Sequence, residues 1–99
     1  RIEGLVCLSY PFHPPGSPEK LRTGHLQDFA VPTLICQGTR DPFGTRDEVL
    51  GYGLAPAIEL HFTEDGDHDL APRRSVTGQS PAEALDAVAA AVAAFVRRG

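Results

Sequence analysis

Asp41 and His68 are the two residues of this chain whose types, order and spacing suit acid–base chemistry. Asp41 sits in Gly38-Thr39-Arg40-Asp41-Pro42, and His68 in Gly66-Asp67-His68. An imidazole can take a proton from a nucleophile when a carboxylate fixes its tautomer and stabilises the imidazolium that forms. The two side chains must then meet, so their loops must lie side by side. Their separation of 27 positions leaves room for one turn, a short helix, a crossover and a strand. Taken singly, each residue has an ordinary alternative. An Asp before a Pro is common turn chemistry, and a lone loop histidine is more often a surface residue. Asp65, Asp67 and Asp69 flank His68 and raise a metal cluster as a further alternative. Their spacing lacks the remaining ligands of a calcium loop, so these carboxylates read as solvated and no metal site is expected.

Positioning Asp41 and His68 falls to three apolar runs. Gly4–Tyr10 and Pro32–Gly38 are almost continuously hydrophobic, as strands buried on both faces are. Ala57–Phe62 alternates, with Ile58, Leu60 and Phe62 on one side and Glu59 and His61 on the other, which suits a strand nearer a sheet edge. Helical signals fall between and after the runs. Ser17-Pro18-Glu19 predicts a short helix start. Thr45-Arg46-Asp47-Glu48 is a capping box that Gly51 or Gly53 stops. Ser80-Pro81-Ala82-Glu83 is a second capping box opening the longest helix, with Leu85, Val88, Val92, Phe95 and Val96 on one face. Strands alternating with helices predict a parallel sheet. Ligands of such sheets bind beyond the carboxyl ends of the strands, where Asp41 and His68 fall.

These segments carry a resemblance. GTRDPFG at 38–44 and DGDHDL at 65–70 resemble the acid and histidine loops of dienelactone-hydrolase-like α/β-hydrolases, and SYPFHPPG at 9–16 is similar to a segment of compact α/β-hydrolases of the KANL/Tex type. The resemblance covers essentially the whole chain. It implies an α/β fold: the C-terminal part of an α/β-hydrolase, about three parallel strands with flanking helices, with residues 1–99 forming the C-terminal portion of a single domain. Asp41 then matches the catalytic acid and His68 the catalytic base of a Ser-Asp-His triad, with the serine in a G-x-S-x-G elbow upstream. It also implies a small ester or acyl substrate and no metal or organic cofactor. His13, Phe12 and Phe43 are candidates for lining the substrate site, with core or loop rigidity as the alternative. His25 and His61 carry no signal.

No residue of the chain suits the nucleophile. An elbow needs small residues two positions either side of it on a strand-to-helix turn. Ser9 has Cys7 and Pro11 there, and Ser17 and Ser75 are flanked no better. Gly78-Gln79-Ser80-Pro81-Ala82 has the spacing, yet a polar stretch precedes it and it follows the histidine; Ser80 is expected to cap a helix. Cys7 and Cys36 lie within strands, where thiols are inert. Loss of the nucleophile costs about 10⁶ in turnover, so this chain alone is expected to be inactive. The chain begins with Arg1 and has no methionine, so the natural chain is expected to be longer.

Composition narrows the partners. The chain is 41% hydrophobic and 22% charged, with 9 basic and 13 acidic residues giving −4. A nucleic-acid partner would favour a basic face, and no apolar run approaches the ~18 residues of a membrane span. Two cysteines without a CxxC, and no leader-like segment, fit a cytoplasmic location. The first strand is expected to border the missing half and to leave an apolar sheet edge open. That edge suits a homo-oligomer or a complementing N-terminal half, and a non-catalytic pseudo-hydrolase or interaction module pairing through it is the alternative function.

Overall fold

The computed structural model describes residues 4–98. Three parallel strands, β1 (Leu5–Leu8), β2 (Thr33–Gly38) and β3 (Ile58–Thr63), form one sheet in the order β1-β2-β3. In register, Leu8 lies beside Cys36 and Cys36 beside His61, so all three carboxyl ends finish on the same side. Every residue of β2 is buried, as its continuous hydrophobicity predicts for a strand between two others. The alternating β3 lies at an edge.

The expectation for β1 needs correction. It is covered on one face only: Val6 is 39% and Leu8 61% exposed. Their face is the one that the long helix occupies, where it packs chiefly on β2 and β3. A sequence run shows which side chains are apolar, not which of them a neighbour reaches.

The β1–β2 connection also differs from the helix expected at Ser17. Two consecutive turns, Pro14 O to Ser17 N–H and Ser17 O to Lys20 N–H, occupy the backbone there, each at 3.0 Å. Gly16, at φ +79°, takes the left-handed position. A single 3-10 turn follows at Gly24–Leu26.

Both capping boxes form as expected. In α1 (Arg46–Leu50), Thr45 and Glu48 satisfy each other's backbone N–H. Ser80 and Glu83 do the same at 2.9 and 3.2 Å, opening the final helix. A one-turn helix, α2 (Arg74–Thr77), precedes it and is stopped by Gly78 in the left-handed region. The final helix, α3 (Pro81–Arg98), packs on β2 and β3. Its inward stripe is Ala84, Val88, Ala91, Val92 and Phe95, whereas Leu85 and Val96 are 50% and 64% exposed. The stripe is rotated from the expected one, with Ala84 and Ala91 turned inward and Leu85 and Val96 turned outward.

The sheet thus has two cores, one on each face. Phe12, Leu26, Ile35 and Val49 fill the α1 side, and Leu34, Cys36, Leu70 and Val88 the α3 side. No helix among the described residues is long and apolar enough to cross a membrane.

Candidate active site

Asp41 and His68 stand on the loops leaving β2 and β3, which are neighbours in the sheet. Two glycines let those loops touch. A Cβ on Gly38 would lie 2.2 Å from the Gly66 carbonyl oxygen and 2.5 Å from that of Asp67. Through this gap Arg40 N–H donates to Gly66 O, and Thr39 N–H to Thr63 O, both at 3.0 Å. Close backbone approach is the reason for glycine here.

Asp41 is wholly buried, and a buried carboxylate is costly unless its oxygens are occupied. They are. Oδ1 accepts Phe43 N–H at 2.8 Å, and Oδ2 accepts Gln37 Nε2 at 3.1 Å and His68 Nδ1 at 2.9 Å. A carboxylate only accepts, so Nδ1 of His68 carries the hydrogen and a neutral ring has its lone pair on Nε2. Nε2 has no hydrogen-bond partner among the described residues, and the His68 side chain is 39% exposed. Phe43 lies against the imidazole, with ring centroids 4.1 Å apart.

Gln37 was not singled out by the sequence, although a polar residue ending a buried apolar run is a usable signal. Besides Asp41, its Nε2 faces the carbonyls of Gly44 at 3.0 Å and Tyr10 at 3.2 Å. Three acceptors around the nitrogen give the amide one orientation and leave Oε1 buried without a partner among the described residues. An orphan of this kind costs about 1–3 kcal/mol. Gln37 thereby joins the exits of β1 and β2 to the acid.

The histidine loop is held from both ends. Asp65 and Leu70 both have φ +61°, an uncommon conformation for side-chain-bearing residues. Leu70 is pinned in the α3-side core. Asp65 is only 7% exposed and receives Arg73 through its backbone N–H at 2.8 Å and its guanidinium at 2.5 and 3.0 Å. Arg40 donates to the Asp65 carbonyl at 2.7 Å. The bonds from Arg73 hold the Asp65 carboxyl well below the usual carboxylate range. Asp67 Oδ1 accepts the N–H groups of Asp69 and Ala71 at 2.9 and 3.1 Å. Asp65 and Asp67 are therefore structural braces rather than solvated groups. No cluster of three or more His, Cys, Asp or Glu able to hold a metal occurs among the described residues.

The three candidate lining residues are placed differently from one another. Phe12 is 0% exposed in the α1-side core, between Tyr10 and Tyr52. His13 is 3% exposed, with Nδ1 2.9 Å from Pro14 O and Nε2 3.0 Å from Glu48 Oε1. Phe43 alone touches the Asp41–His68 pair. Burial raises the pKa of both Cys7 and Cys36, and neither is in a disulfide. A groove of about 520 Å³ lined by Gly4, Val6, Pro32 and Phe95 lies at the opposite, amino ends of the strands.

The arrangement can accept a proton at Nε2 and stabilise the resulting charge through Asp41. The family profile described as alpha/beta hydrolase domain matches residues 1–97. No solved structure matches the chain.

Proposed function

We propose that this chain, which belongs to the alpha/beta hydrolase domain family, contributes the acid and the base of a Ser-Asp-His triad that hydrolyses a small ester or similar acyl compound. The observation that carries this reading is the 2.9 Å bond from His68 Nδ1 to the buried Asp41, with Nε2 left open beside solvent. His68 Nε2 takes the serine proton as the serine oxygen attacks the acyl carbon. Asp41 stabilises the imidazolium without becoming protonated. The imidazolium then protonates the leaving alkoxide, and water, activated in the same way, releases the acid from the acyl-enzyme. On this reading the serine and its oxyanion donors are not among these 99 residues. Ser80 is occupied in capping α3, and burial disfavours either thiolate. The finer assignment, dienelactone-hydrolase-like or KANL/Tex type, rests on the segments at 9–16, 38–44 and 65–70. Two unpaired cysteines support a cytoplasmic location.

The test is hydrolysis of short p-nitrophenyl esters, with labelling by a fluorophosphonate, on the protein isolated from its natural source. His68→Ala should lower turnover by about 10⁴–10⁶, and Asp41→Asn by about 10⁴. Near-full turnover in either variant overturns the assignment.

The exposure of Val6 and Leu8 on edge strand β1 supports a second reading. Here the chain is a non-catalytic module that pairs through that edge, with a second copy or with an N-terminal half. A defined dimer without esterase activity favours it, and a cooperative monomer argues against it.

A further inference from the structure

His13 is buried, and both of its ring nitrogens face oxygen. Nδ1 is 2.9 Å from the Pro14 carbonyl, which cannot donate. Nε2 is 3.0 Å from Glu48 Oε1, which already accepts Thr45 N–H at 3.0 Å and the Thr45 hydroxyl at 3.2 Å. Thr45 already brings two donors to that oxygen, which leaves it an acceptor toward His13. A neutral imidazole would turn a lone pair toward one of these acceptors. Only the doubly protonated ring satisfies both. His13 also grips the acid loop through its backbone, whose N–H donates to Phe43 O at 3.0 Å; the N–H of Phe43 in turn donates to Asp41.

We propose that His13 is a positioning residue: a buried imidazolium that ties the loop leaving β1 to the cap of α1 and so holds the Asp41 loop in place for His68. The role rests on reading Asp41 and His68 as acid and base. Glu48, from α1, and Glu19, from the loop after β1, are the charged groups whose fields act on the ring. The Pro14 carbonyl and Glu48 raise the His13 pKa, and His13 with Thr45 lowers that of Glu48. The clamp is therefore whole below the folded pKa of His13 and above that of Glu48. It opens as pH rises through the first or falls through the second.

The experiment is a pH titration of the ¹⁵N-labelled chain, reading the imidazole nitrogens and the low-field His68 Nδ1–H proton by NMR. His13→Gln risks unfolding, so the variant used is Glu48→Gln, which keeps the capping-box acceptor and removes the charge. Both His13 nitrogens should be protonated at neutral pH, and the His13 midpoint should fall in Glu48→Gln. The low-field His68 proton should disappear as His13 loses its proton. A neutral His13 at neutral pH, a midpoint unmoved by Glu48→Gln, or a His68 proton indifferent to His13 overturns the proposal. Absent esterase activity in the protein isolated from its natural source, with the coupling intact, counts against the hydrolase reading alone. Activity with the coupling absent counts against the clamp alone.

Discussion

Gly38→Ala tests whether backbone contact between two loops builds the acid–base pair. The added Cβ would lie 2.2 Å from Gly66 O, and ordinary contact begins near 3.4 Å, so the loops must part by about 1.2 Å. The obstacles are backbone atoms of Gly66 and Asp67, which cannot swing aside as a side chain can. Parting by that amount breaks the 3.0 Å bond from Arg40 N–H to Gly66 O and the 2.9 Å bond from His68 to Asp41. Overpacking costs about 1–3 kcal/mol and a lost hydrogen bond about 0.5–1.5 kcal/mol. The variant should therefore be about 2–6 kcal/mol less stable in urea and should lack the low-field His68 proton. Gly24→Ala is the control, since a Cβ there meets nothing within 4 Å; it should change stability by less than about 0.5 kcal/mol. A Gly38→Ala chain with wild-type stability and an intact His68 proton would refute the reasoning.

Further expectations concern the braces and the exposed edge. Asp65 has a folded pKa below its ordinary 3.8, so its contribution is present above that value and is lost as pH falls through the folded value. The gap in urea midpoint between wild type and Asp65→Asn should accordingly shrink from about pH 5 to about pH 2; a constant gap would show that charge is not what Arg73 recognises. Ser80→Ala removes the cap of α3 and should cost about 0.5–2 kcal/mol by denaturation, with no loss meaning that the helix does not need its cap. Leu8→Lys alters a side chain that is 61% exposed, so stability should stay within about 0.5 kcal/mol. Sedimentation should show any self-association through β1 to be lost, and persistent association would place the contact elsewhere.

The local rules written into the chain determined much of this protein. Continuous or alternating hydrophobicity marked the three strands, and the Thr45–Glu48 and Ser80–Glu83 patterns marked two helix starts, because those signals act within a turn or a strand. Parallel order followed from alternating elements, and with it the position of Asp41 and His68 at strand ends. Only tertiary structure decided what lies across space. Arg73 reaches Asp65 because Asp65 and Leu70, both left-handed, fold the histidine loop back, and no local spacing encodes that. His13 finds Glu48, 35 residues away, only because the loop leaving β1 is laid against α1. Val6 and Leu8 look like core in the sequence and are exposed in the fold, since hydropathy belongs to a side chain and burial to its neighbours.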